Sequence, residues 1–223
     1  MKPFVLSILL LSFSLTGLSQ DSDFNKFSLE SQFTVFNSNA VVTPNLKFRY
    51  LSESGNVFRT TLNASYTDLT TEILEVDGDG VGSVQTTNSS FVLGLGYEKH
   101  LSMDKVSPYI GGSILIGAGK NSTYGSRTDA AVFINDFNYN SKINTSYFGV
   151  HLFTGVDVTI YKGLFLGTEI GYKFISLRDK RGEYNTTDAS STTNSETTTA
   201  IPEKKSKSFS LVNMGVLRVG WKF

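Results

Sequence analysis

From residue 27 to the last residue, apolar and polar side chains alternate with a period of two. No stretch after residue 20 sustains a helical period. Residues two apart share one face of a strand, so this pattern commits the chain to half-buried β-structure. Phe27, Leu29, Phe33 and Val35 share one parity, with Ser28, Glu30, Gln32 and Thr34 on the other. Leu46, Phe48 and Tyr50 alternate with Lys47 and Arg49, and Phe58, Leu62, Ala64 and Tyr66 with Arg59, Thr61 and Asn63. Further segments centre on Phe91–Tyr97, Ile110–Ile116, Phe148–Ile160, Leu166–Phe174 and Leu217–Phe223. The pattern predicts eight strands, antiparallel and joined in sequence order.

The connections sharpen this. Short ones are expected at residues 37–41, 52–55, 102–107 and 161–163, and long ones at 69–88, 119–145 and 179–207. Tight turns at one end and long loops at the other characterise transmembrane β-barrels, whose strands need roughly 9–11 residues to cross the bilayer. The N-terminus has the form of a secretory signal over residues 1–19. Lys2 precedes an apolar run from Phe4 to Leu15, and Gly17-Leu18-Ser19 offers small residues for cleavage. That run is shorter than the roughly 20 residues of a spanning helix. The mature domain is expected to be residues 20–223.

Alternation alone does not say which face points inward. A soluble lipocalin-like barrel, the periplasmic-binding alternative, would turn its apolar face in. Here the polar face mixes glycine with charges of both signs: Glu30, Lys47, Arg49, Arg59, Glu98, Asp157, Glu169, Lys173, Arg218 and Lys222. Small residues interleaved with long, mutually neutralising side chains suit a narrow interior. Aromatics gather toward strand ends. Phe27, Tyr50, Phe58, Tyr97, Tyr161, Trp221 and Phe223 are expected near the turns. Phe36, Tyr66, Phe91, Tyr147, Phe148, Tyr172, Phe174 and Phe209 are expected near the loops. Two aromatic girdles mark the interfaces of a membrane barrel. The low charged fraction, 18% against about 25% in ordinary globular chains, fits an outer face given to lipid.

The tail Leu217-Arg218-Val219-Gly220-Trp221-Lys222-Phe223 resembles the terminal strand of bacterial outer-membrane β-barrel proteins. With eight strands and a signal peptide, the chain looks like a small barrel of the OmpA/OmpX-like superfamily. The resemblance implies that Trp221 and Phe223 are read by the barrel-assembly machinery, with periplasmic chaperones acting beforehand. It also implies an integral, monomeric protein in the outer membrane of a double-membrane bacterium, in contact with lipid and lipopolysaccharide. Two positions depart from the pattern. Pro44 falls within the second strand, and Asn213 and Gly215 occupy lipid-facing positions unless a bulge intervenes.

Few features point to chemistry. Without cysteine, disulfides, thiolate metal sites and a cysteine nucleophile are excluded. Equal numbers of basic and acidic side chains, 20 each, argue against a nucleic-acid partner. His100-Leu101-Ser102 pairs a histidine with a serine, but at the turn end, away from outer-leaflet lipid. His151 is expected to be a satisfied interior histidine. Asp77-Gly78-Asp79-Gly80, within the acidic stretch 68–79, lacks the further ligands of a calcium loop. Residues 121–145, with Tyr124, Phe133, Ile134, Phe137 and Tyr139, are expected to extend a hairpin beyond the bilayer. The Ser/Thr-rich stretch 185–200 is expected to be a mobile tip, followed by the basic cluster Lys204, Lys205 and Lys207. The expectation is a filled, non-enzymatic barrel without a cofactor or bound metal, acting in surface structure or interaction through its loops. The alternative is a narrow pore or small hydrophobic-solute channel of the OmpW-like kind.

Overall fold

The computed structural model describes residues 26–34, 45–74, 80–127, 138–188 and 195–223. These residues hold ten strands and no helix. The strands are β1 (Phe27–Thr34), β2 (Asn45–Leu51), β3 (Asn56–Leu74), β4 (Val81–His100) and β5 (Val106–Arg127). They continue as β6 (Asn138–Tyr161), β7 (Leu164–Asp179), β8 (Gly182–Asp188), β9 (Ser195–Ile201) and β10 (Lys204–Lys222). The signal segment, Phe36, Pro44 and the Asp77–Asp79 motif lie outside the described residues, as do Phe133, Ile134 and Phe137.

Every pairing is antiparallel. The order is β5-β4-β3-β2-β1-β10-β7-β6, and β5 also pairs with β6, so the ladder of these eight strands closes on itself. The closure between first and last strands is sealed by Phe27 and Phe223, which exchange both backbone hydrogen bonds at 2.9 and 2.8 Å.

One register row passes through all eight strands: Leu29, Phe48, Thr60, Leu95, Ile114, Val150, Phe174, Phe209. It begins at Leu29, whose partner on β10 is Trp221, and returns to β10 at Phe209. That offset along β10 is the stagger that tilts strands in a closed sheet.

The tight turns cluster at one end. Lys162 and Gly163, at φ 34° and 89°, both take the left-handed conformation of a two-residue hairpin turn. Only glycine fits the second position easily, since a Cβ on Gly163 would collide with the Lys222 carbonyl oxygen. At the other end the strands continue well past the expected loop boundaries. β3 and β4 stay in register to Leu74↔Val81, and β5 and β6 to Ser126↔Asn138.

One expectation changes. Of the stretch 185–200, the described residues 185–188 and 195–200 belong to a paired hairpin, β8–β9, and β8 adds to the edge of β6 from Asn138↔Thr187 to Lys142↔Glu183. Apolar burial is a poor guide there, because β6 outgrows β7 and presents free backbone groups, and the added strands are rich in β-branched threonine. On β10, the ladder breaks between Val212 and Val216 and shifts by two residues against β7. The break falls where the sequence pattern calls for a bulge, and the even shift leaves Phe209 and Leu217 exposed on the same outer face.

Candidate functional site

The inward parity of the ring converges on one cluster of ionised side chains. Glu30 comes from β1, Lys47 and Arg49 from β2, Arg59 from β3, Glu98 from β4, Asp157 from β6, Glu169 from β7 and Arg218 from β10. β5 supplies Tyr109, so every strand of the ring contributes. All are buried, with Lys47, Arg49, Glu98, Asp157 and Arg218 at 0% exposure.

Four cations meet four carboxylates. Lys47 Nζ lies 2.8 Å from Glu30 and 3.2 Å from Glu169. Arg49 donates to Asp157 at 2.8 Å, to Glu98 at 3.2 Å and to Ser28 Oγ at 3.1 Å. Arg59 donates to Glu98 and to Glu169, each at 2.9 Å. Arg218 donates to both oxygens of Glu30 at 3.2 Å and to Asp157. Tyr109 donates its hydroxyl to Glu169 at 2.9 Å. Such balance is what a buried cluster requires, because an unpaired ion there costs several kcal/mol.

Aromatic rings fill the remaining space. The Arg59 guanidinium lies 3.5 Å from the Phe153 ring centroid, Arg49 4.9 Å from Phe165, and Arg218 5.2 Å from Tyr109. Each contact sets a weakly hydrated cation on a π face. Close approach is needed at Gly167, where a Cβ would stand 2.5 Å from both Arg218 Nη2 and Asp157 Oδ1.

The ten inward charges expected from parity divide unequally. Eight form the cluster, Lys47 and Asp157 among them. Lys173 and Lys222 are half-buried and make no ion pair among the described residues. Lys222 Nζ lies 5.5 Å from the Phe165 ring. The inward aromatics Tyr109, Phe153 and Phe165 were missed, although each shares parity with an inward charge or glycine. Tyr147, expected in the loop-side girdle, is a correction. It has the inward parity of Gly149 and His151, is half-buried, and lines the interior. The other described girdle members at the loop side are exposed, as are Phe27, Tyr50, Phe58, Tyr97 and Tyr161 at the turn side. Trp221 and Phe223 are half-buried beside β1.

Both histidines face inward. His100 sits at the turn end, with Nδ1 2.6 Å from Ser107 Oγ and Nε2 3.2 Å from Glu98. Ser102 is engaged elsewhere, donating to Asp104 at 2.7 Å. His151 corrects the expectation of a satisfied residue: it is buried, and its Nε2 has no hydrogen-bond partner. The cause is position. It stands on the loop side of the cluster, in the wall of a cavity of about 620 Å³, with Nε2 turned against Gly171, where a Cβ would come within 2.8 Å of it.

Acidic side chains of the 68–79 stretch are solvated or locally bonded; Asp68 accepts from Gln85 at 3.0 Å and from Thr87 at 3.3 Å. Among the described residues no group of three acidic or histidine side chains is arranged to hold a metal. In the basic stretch, Lys205 pairs with Glu203 at 3.2 Å, and Arg178 joins the same carboxylate at 2.7 Å.

No protein-family model matches the chain, and no curated protein matches it. Among solved structures, the chain is similar to a major outer membrane protein from Thermus thermophilus. That likeness covers 89% of this chain and 98% of the other, at 14% identity and a TM-score of 0.39. It is too distant to carry an argument.

Proposed function

We propose that the chain is an eight-stranded transmembrane β-barrel of a bacterial outer membrane, plugged at its turn-side half and non-enzymatic. In this reading it presents extended hairpins at the cell surface for structure or interaction. One observation carries the proposal: the closed ring is inside-out relative to a soluble protein. The charges lie inside, while Phe58, Leu95, Ile110, Leu152 and Phe91 are 51–60% exposed on the outer face. In water such a belt would exceed the few hundred Å² of apolar patch that monomers tolerate. In hydrocarbon it is the expected lipid face, and closure of the ladder satisfies the backbone.

Absence of enzymatic activity is supported by how the titratable groups are used. The cluster's acids and bases neutralise one another, and the Ser102 hydroxyl is turned to Asp104 while the His100 ring meets Ser107 and Glu98. The alternation of Leu217, Val219 and Trp221 on the strand that pairs with β1 supports recognition by the assembly machinery. An aromatic outer face supports contact with lipid and lipopolysaccharide as a monomer.

Membrane fractionation with heat-modifiable gel mobility tests the reading. The expected result is a membrane-bound protein whose folded band shifts on boiling. A soluble protein with no shift would overturn it in favour of a periplasmic binding barrel.

A further inference from the structure

Above the charge cluster, on the loop side, the interior opens into the 620 Å³ cavity. Arg59 and Glu169 form its floor, and Ser113, His151 and Lys173 stand in its wall. Among the described residues five buried side-chain atoms lack hydrogen-bond partners: Arg49 Nη2 and Arg218 Nε lie in the plug, while Arg59 Nε, Ser113 Oγ and His151 Nε2 belong to residues lining this one space. These last three residues are 4%, 5% and 7% exposed. Lys173 joins them with no ion pair or hydrogen bond to any described residue.

The chemistry of these groups selects the occupant. An arginine Nε–H and a lysine ammonium can only donate, so only an acceptor satisfies them. The hydroxyl and imidazole can serve either way. Glu169 turns Oε2 to Lys47, Arg59 and Tyr109 and Oε1 to Arg59 at 3.4 Å, and makes no hydrogen bond to Lys173, Ser113 or His151. Nor is there charge balance at this level: Lys173 and Lys120 line the cavity without a carboxylate of their own, while Asp179, near the mouth, accepts from Thr145 at 2.7 Å. An oxyanion seated against Lys173 would supply the missing negative charge, and a turn of the His151 ring and the Ser113 hydroxyl toward it would give those two groups a partner.

We infer that this chamber is a binding site for a small solute bearing a carboxylate or phosphate. The solute enters from the loop side and is held by Lys173, Arg59, His151 and Ser113. The inference rests on the barrel reading above. The plug forms the floor, so the solute binds and leaves by the same mouth. Val92, Leu115, Tyr147 and Leu177 give the wall an apolar part for the solute's body.

The test uses the full mature chain refolded in detergent micelles, with histidine labelled at Cε1. There are only two histidines, and His100 lies beyond the plug as an internal reference; His151→Gln fixes the assignment. Sodium phosphate and sodium acetate are titrated against sodium chloride at equal ionic strength. The expected result is a saturable shift of the His151 signal with phosphate or acetate, with His100 unmoved. Lys173→Met should weaken the apparent affinity about tenfold or more, and Lys173→Arg should retain it. No saturable shift, or both histidines moving together, or an equal response to chloride, would overturn the inference. So would a response to lipopolysaccharide alone, which would make the acceptor a lipid phosphate. Gel mobility is read on the same samples. A heat-shifted band with no binding removes the solute site alone, whereas a missing heat shift removes the barrel with it.

Discussion

At the scale of single residues, the interior is organised by obligatory pairing. Arg218 serves Glu30 and Asp157 at once, with no exposed surface. Arg218→Met should therefore leave two carboxylates short of a partner and cost about 3–5 kcal/mol of folding stability, read from urea refolding midpoints. Lys222→Met is the contrast. This lysine is half-buried and makes no ion pair among the described residues, so the loss should stay below about 1 kcal/mol. Backbone conformation matters at one turn. Gly163→Ala meets both a φ of 89° and the Lys222 carbonyl, and should destabilise by about 1–3 kcal/mol in the same assay.

At the scale of elements, the loop-side hairpins are separable from the ring. β8 and β9 touch it only through the outer part of β6, beyond the point where β7 takes over as partner. Replacing residues 183–200 by an Asn-Gly turn between Gly182 and Ile201 should leave the heat-shifted band in place. The urea midpoint should move by no more than about 0.5 kcal/mol in stability. These same elements mark the boundary of what alternation reveals. The strands around Arg49, Glu98 and Arg218 were legible because each side chain there must choose between two faces of opposite polarity. Beyond Tyr66 on β3 both faces meet water, so Thr67–Leu74 carries no polarity signal although it remains paired. Hydrogen bonding to an open strand edge leaves no compositional trace, which is why the Thr-rich hairpin reads as disordered in sequence. Within the site, parity identified which charges turn inward but not which meet. Lys173 and Glu169 lie on one face of the same strand, yet one stands in the chamber and the other in the plug. The distances that separate those fates come from the stagger of the ring.

At the scale of the whole molecule, the interior has two storeys: a neutral plug near the turns and an open chamber toward the loops. The plug should block conduction, so planar-bilayer recording of the purified protein should show no stable single-channel steps. Removing one cation and one carboxylate together, as Arg59→Ala with Glu169→Ala, keeps the charge balanced and thins the floor. That pair should produce discrete steps. Steps in the unmodified protein would instead favour the narrow-pore reading. β10 makes a separate claim about biogenesis. Trp221→Ala together with Phe223→Ala should lower the amount found in the membrane fraction of cells, while the purified chain still refolds in detergent.

The eight-strand origin of the plug also governs how such a molecule can form. Neighbouring strands balance in places, β3 with β4 through Arg59 and Glu98 and β1 with β10 through Glu30 and Arg218, but β2 brings two cations whose carboxylates arrive on β1, β4, β6 and β7. A partly inserted sheet would hold uncompensated ions against hydrocarbon, each a penalty of several kcal/mol. Half-built intermediates are thereby disfavoured. In the proposed barrel, the two cations of β2 therefore meet all their carboxylates only when the ring of eight strands has closed.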